Sequence, residues 1–229
     1  MLDNLIPAIV GQKWQIAEGY RAVELRTTSR SLLPPFDDGS CVTLCLHHSG
    51  GKERMYPLLC VPNLPNAYVI GMRQEGDDRT DNLQSDFPLN ERDEVFVGTP
   101  KSLPTIFDDR VRSILFAGGI GAASIAGIAK RLASAGQRFE VHTFARSADR
   151  AVLREEFDAL RGRGKVHHHF GLSDDQFAQK TSHAMSPTHA NAQIYCSGPP
   201  AFMDLVERQA RKWVYAANIH KITLGDQTA

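Results

Sequence analysis

The chain has 229 residues, 42% hydrophobic and 23% charged, the balance of a soluble globular protein long enough for one large or two small domains. Its 26 basic and 26 acidic side chains cancel, which argues against a dedicated nucleic-acid binder. The sum hides an asymmetry: residues 1–110 carry 11 basic and 16 acidic groups and residues 111–229 carry 15 and 10, so a polyanionic ligand belongs on the second half.

The start, MLDNLIPAIVGQKW, has an acid at position 3 and no basic flank, so it does not read as a signal peptide. Trp14–Thr27 is rich in strand formers. Cys41–His47 follows the turn PPFDDGS and reads as a strand. Arg54–Val61 and Tyr68–Gln74 read as two more, separated by PNLPN, and Glu94–Val97 as another. Short strands with Pro, Gly and Asn between them predict a small antiparallel β-barrel.

The second half changes character. Ser113–Ala129 is uncharged, but glycines at 118, 119 and 121 break it, so it reads as strand, turn and helix rather than a membrane span. Ser113–Ala117 is a continuous apolar run, as a buried parallel strand requires. Ala122–Ala135 reads as a helix and Phe139–Ala145 as a strand. Ser147 is placed as N-cap of a helix running to Leu160. Lys165–Phe170 and Ala192–Cys196 read as strands, Pro199–Ala216 as a helix and Asn218–Leu224 as a last strand. Alternating strands and helices predict an α/β doubly wound parallel sheet. The boundary falls near Phe107–Arg112, giving domains 1–107 and 108–229.

Four segments could carry chemistry. Gly118, Gly119, Ile120 and Gly121 join a strand to a helix, a turn that lets backbone approach a pyrophosphate at the helix start. The same glycines also suit a tight turn without ligand. Arg146 and Ser147 end the next strand, with Arg150 one turn on; arginine there suits the 2′-phosphate of NADP, or is a solvated helix-start charge. Ser197, Gly198 and Pro199 end the last core strand, where a turn delivers backbone N–H groups and a small side chain to the crevice above the sheet. In the barrel, alternation puts Arg54, Tyr56 and Leu58 on one strand face and Met55 and Pro57 on the other. A cation and an aromatic ring two residues apart can hold a phosphate and stack on a flat ring.

In this order the four segments resemble the ferredoxin–NADP reductase superfamily, and most of all the class of phthalate dioxygenase reductase and vanillate demethylase reductase. TTSRSLLPPF at Thr27–Phe36, RMYPL, SILFAGGIG, FARS and the run Ser197–Met203 carry the likeness. The resemblance implies a flavin-binding barrel, with FMN expected and FAD possible, and a domain for NADPH or NADH. It implies an oxidoreductase that passes electrons from NAD(P)H through the flavin to a separate iron–sulfur (ferredoxin-like) protein and an oxygenase. By that likeness Arg54 holds the flavin phosphate, Tyr56 stacks on the isoalloxazine beside Pro57 and Leu58, and Ile70, Gly71 and Met72 offer backbone to its pyrimidine edge. Gly118–Gly121 meet the pyrophosphate, Arg146 and Ser147 the adenosine end, and Ser197, Gly198 and Pro199 the nicotinamide.

The chain departs from the pattern at four places. Pro57 stands where the family has serine. GDDRTDN at residues 76–82 replaces a Gly-Gly-Ser phosphate loop, Ala123-Ser124 replaces Thr-Pro, and Ser197 replaces cysteine. The alternative is therefore a non-catalytic subunit that has weakened or lost its flavin. A short-chain dehydrogenase would need Tyr-x-x-x-Lys, which none of the five tyrosines supplies. The cysteines at 41, 45, 60 and 196 have no iron–sulfur or zinc spacing, so the acceptor cluster is expected on a partner. Cys41 and Cys45 read as core, and Trp213 as packing. His167, His168 and His169 alternate on one strand, so only two share a face, fewer than a metal site needs. The expectation is a cytoplasmic protein with reduced thiols, free of membrane and nucleic acid.

Overall fold

The computed structural model describes residues 5–28, 32–46, 53–61, 64, 66–74, 89–186, 188 and 190–226. The first six strands are β1 (Ile6–Ala17), β2 (Tyr20–Thr27), β3 (Cys41–Leu46), β4 (Glu53–Pro57), β5 (Ala67–Arg73) and β6 (Glu94–Val97). They lie in the order β4-β3-β6-β1-β2-β5, each pair antiparallel. A bridge between Leu58 and Ile70 brings the two edges together and closes the barrel. Alternation turns Val10, Val23, Leu25, Val42, Leu44 and Ile70 inward, all at most 1% exposed.

The segment rich in strand formers, Trp14–Thr27, spans the turn of a hairpin. Its turn is at Glu18–Gly19, where Gly19 takes φ +76°, a left-handed conformation that costs glycine little. β1 also begins earlier than expected, at Ile6. It is bulged between Val10 and Lys13. Glu24, 2% exposed, serves the bulge: Gln12 N–H donates to Oε2 at 3.2 Å and Arg26 Nε donates to Oε1 at 2.8 Å. A Cβ on Gly11 would sit 2.5 Å from that carboxylate, so a side chain there would push Glu24 out of its place. Burial raises the Glu24 pKa, but the Arg26 and Gln12 hydrogen bonds outweigh it and hold the group below its ordinary 4.5. Its contribution is therefore present above the unfolded-state value and lost as pH falls through the lower folded-state value. Glu24→Gln is expected to destabilise by about 1.5–3 kcal/mol at pH 7. Urea melts should show the gap to wild type closing below pH 4.5.

The second sheet holds β7 (Ser113–Gly118), β8 (Phe139–Ala145), β9 (Lys165–Phe170), β10 (Gln193–Ser197) and β11 (Ile219–Ile222), all parallel, in the order β11-β10-β7-β8-β9. Every residue of β7 is buried because both faces are covered. Leu115 and Ala117 pack under helix α1 (Ala122–Ser134), with Ile125, Ile128 and Leu132. Ile114 and Phe116 face the other way, toward helices α3 (Asp174–Met185) and α4 (Pro200–Ala210). The barrel plus doubly wound sheet is the fold class the sequence predicts.

Two helix expectations need correction, and a third helix is added. Ser147 caps nothing: the chain turns through residues 147–153, and α2 covers only Arg154–Asp158, entered from Leu153 at φ +56°. Of the four side chains expected to face inward, Val152, Phe157 and Leu160 are buried all the same, and Leu153 is partly buried against the same core. α4 stops at Ala210, and a turn of Lys212, Trp213 and Val214 follows, with Trp213 packed on the sheet's core. α3 was not foreseen. Finally, β12 (Gly225–Asp226) pairs with Met55 and Arg54 of β4, so the chain returns to the first sheet after completing the second.

The two sheets meet through backbone. Gly39 of the loop before β3 lies against Gly127 of α1, and Cys41 Sγ is 3.6 Å from Ser124 Oγ. Arg131 of α1 donates to the Leu103 carbonyl at 2.8 Å.

Candidate functional site

In the second sheet the order runs outward from β7 in both directions, toward β8 on one side and β10 on the other. A crevice opens at the carboxyl ends of strands at such a switch point. Two turns flank it. Gly118–Gly121 leaves β7 and makes a single 3-10 turn before α1. Ser197–Pro199 leaves β10 before α4.

The turns touch. A Cβ on Gly121 would overlap the Ser197 carbonyl and come within 2.6 Å of the Gly198 nitrogen. A Cβ on Gly198 would lie 3.1 Å from the Gly118 oxygen. These glycines are required by backbone packed on backbone, not only by a ligand. Gly119 alone takes a left-handed conformation, φ +53°, with the Tyr20 hydroxyl 2.7 Å from where its Cβ would be. The first turns of α1 and α4 contain no acidic residue, so nothing offsets the positive ends of their dipoles.

Above the turns is a cleft of about 660 Å³. It gathers Gly118, Gly119, Arg146 and Pro199 from the sequence-predicted set, and Arg150 with them. The structure adds Tyr20 and Arg73 from the barrel and Phe202 and Arg208 from α4. Arginines 73, 146, 150 and 208 outnumber Asp174 and give the cleft a positive lining, three of the four from the basic second half. Arg73 escaped the reading because it comes from the acidic half. Arg208 escaped because it lies two helical turns beyond the Ser-Gly-Pro segment. Ser197 turns its side chain elsewhere: it is fully buried and its hydroxyl donates to the Ile222 carbonyl at 3.0 Å. That turn therefore offers the crevice backbone rather than a hydroxyl. The residues fit a pyridine nucleotide.

The barrel set is arranged differently. Arg54, Tyr56 and Leu58 do share a face, but it is the face of their cross-strand neighbours Leu44 and Val42, which belong to the barrel core. Tyr56 is 3% exposed and Arg54 7%. Ile70 and Met72 are core residues as well. Gly71 faces outward, and Ile120 of the glycine turn covers it: a Cβ there would lie 2.7 Å from Ile120 Cδ1. Among the described residues Tyr56 is covered and Gly71 lies under Ile120, so an isoalloxazine ring would reach Tyr56 and the Gly71 backbone only where these covering groups move aside. The acidic segment 76–82 and Ser29–Ser31 of the TTSRSLLPPF motif lie outside the described residues.

The thiols do not converge. Cys41, Cys45 and Cys196 are buried and Cys60 is exposed, all unpaired. Burial pushes Cys196 up to about 12, and burial with Asp38 nearby pushes Cys60 up to about 11. No described helix is long and apolar enough to cross a membrane.

The likeness read from the motifs is borne out by comparison with known proteins. No family model matches the chain. It is 29% identical over 214 residues to a vanillate O-demethylase oxidoreductase of a Pseudomonas species, covering 93% of this chain and 67% of that one. It is 30% identical over 209 residues to the enzyme of the same name from Acinetobacter baylyi, covering 89% and 63%. Phthalate dioxygenase reductase from Burkholderia cepacia is 28% identical over 215 residues, covering 92% and 65%. A solved structure of phthalate dioxygenase reductase, described as modular and built for electron transfer from pyridine nucleotides to [2Fe-2S], superposes with a TM-score of 0.71. It is 26% identical and covers 96% of this chain and 68% of that one. The chain thus spans about two thirds of the length of these relatives.

Proposed function

We propose that the chain is an NAD(P)H-dependent electron-transfer oxidoreductase, the reductase component of an oxygenase system. The observation that carries this is the crevice where the β7 and β10 turns meet beneath a cleft lined with arginine. Gly118–Gly121 would bring backbone N–H groups to the pyrophosphate. Arg146, with Arg150 beside it, would meet the adenosine end, with Ser147 adjoining, and a 2′-phosphate there would favour NADPH over NADH. Gly198 and Pro199 would border the nicotinamide. Residues 108–229 would be the nucleotide half and 1–107 the flavin half, with β12 crossing back to the latter.

A bound flavin would accept hydride from the nicotinamide and release electrons singly. We expect FMN rather than FAD, held more weakly than in the relatives. The four cysteines of residues 1–229 do not assemble a cluster, so the acceptor is an iron–sulfur centre outside them, feeding an oxygenase. The buried Tyr56 and covered Gly71 favour a second reading, a reductase-like binding subunit without flavin.

The test is direct. The purified protein is denatured and any released chromophore identified; the folded protein is then titrated with FMN and NADPH. A reductase takes up FMN and reduces a ferredoxin-like acceptor with NADPH. NADPH binding without flavin uptake at millimolar excess supports the binding subunit, and binding of neither overturns both readings. The paired variant Arg146→Ala/Arg150→Ala is expected to weaken NADPH by about ten- to a hundredfold and NADH much less, the loss of charged hydrogen bonds to one phosphate.

A further inference from the structure

Three histidines in a row on β9 looked insufficient for a metal, since only two share a face. The strand pairing changes that. His142 of β8 lies opposite His167, and Glu140 is two residues before it on the same face. Glu140 Oε1 is 3.0 Å from His142 Nε2 and 3.3 Å from His167 Nε2, and the three atoms lie within 4.8 Å of one another. Two imidazoles and a carboxylate this close are a transition-metal donor set; the His142 and His167 rings stack at 16°, so the exposed His167 ring would turn to aim its lone pair at a shared ion.

We propose that Glu140 Oε1, His142 Nε2 and His167 Nε2 form a binding site for one zinc ion, with water as the fourth ligand. Zinc–ligand bonds of about 2 Å set tetrahedral donor atoms roughly 3.3 Å apart, close to the spacing of the carboxylate oxygen from each ring. The surroundings orient the donors. His142 Nδ1 is 3.0 Å from His169 Nε2, so His142 can donate there while its Nε2 ligates. Phe116 stacks on the His142 ring at 5.5 Å between centroids. Arg112 grips the other carboxylate oxygen, Oε2, and leaves Oε1 to the metal. Arg112 is also the cation nearest the site and sets an upper limit on affinity. The His167 side chain is 45% exposed and gives the ion a way in.

Tag-free protein, stripped with a chelator, is titrated with Zn²⁺ against a chromophoric indicator and separately with Co²⁺. One zinc per chain is expected, and a cobalt spectrum of four-coordinate type. His167→Ala sits at the surface and should fold normally. It and His142→Asn are expected to weaken zinc at least ~tenfold. His168→Gln should leave affinity unchanged, because its ring faces the other side, bonded to Thr143 at 2.7 Å and Asp158 at 3.1 Å. Absence of stoichiometric zinc in the wild type, or equal affinity in wild type and His167→Ala, overturns the site.

Discussion

Gly127→Ala is expected to destabilise the protein by about 3 kcal/mol or more, although glycine to alanine inside a helix normally stabilises by about 1 kcal/mol. The reversal of sign comes from what faces Gly127. A Cβ there would overlap the backbone nitrogen and Cα of Gly39 and the carbonyl carbon of Asp38. None of these is the end of a flexible side chain that could swing away. Gly39 is constrained in return: it takes φ +80°, and its own Cβ would lie 2.9 Å from the Ser124 carbonyl. Helix and loop must therefore part, and α1 is the helix that the Gly118–Gly121 turn opens. The contacts beside it, Cys41 to Ser124 and Arg131 to Leu103, would stretch with the same movement. Urea unfolding should show a midpoint lower by about 1–2 M at an unchanged slope. Gly162→Ala is the control, since its Cβ would meet nothing within 4 Å and its φ is not positive. That variant should stay within about 0.5 kcal/mol of wild type. Equal stability of the two variants would mean that the sheets are not joined through Gly39 and Gly127.

This contact shows which parts of the molecule could be read from sequence. β6, β8 and β9 came out at their observed ends because each is a short apolar or alternating run with a clear stop on both sides. The glycine turn and its helix were legible for the same reason. α3 was legible in principle. Ser173 and Gln176 form a reciprocal capping box, with bonds of 3.0 and 3.3 Å, and that spacing is itself a sequence signal for a helix start. Three things were not legible. Leu153 adopts a left-handed conformation that no local pattern announces, so the helix before Leu160 was drawn too long. The inward face of β4 could be paired correctly by alternation, but alternation does not say which face looks into the barrel. Glu140, His142 and His167 meet only through the register of β8 against β9, information that belongs to the folded sheet.

The largest expected functional effect is at Gly119. Gly119→Val should weaken NADPH binding at least ~100-fold while the far-ultraviolet circular dichroism stays that of the folded protein. Two physical effects combine. Gly119 has φ +53°, where a β-branched residue is strained by roughly 1–3 kcal/mol. Its Cβ would also point at the Tyr20 hydroxyl, 2.7 Å away, at the floor of the arginine-lined cleft. The turn can relieve both only by shifting the N–H groups that would face the pyrophosphate. A second substitution separates strain from obstruction. The ring carbon of Tyr20 next to the hydroxyl is 3.5 Å from the Cβ position, an ordinary contact. Tyr20→Phe therefore removes the clash and leaves the strain. Gly119→Ala should lose affinity, and Gly119→Ala/Tyr20→Phe should recover part of it. Fluorescence titration with NADPH measures each variant. If Gly119→Val binds as wild type does, the nucleotide does not lie on this turn, and the cleft above it serves another ligand.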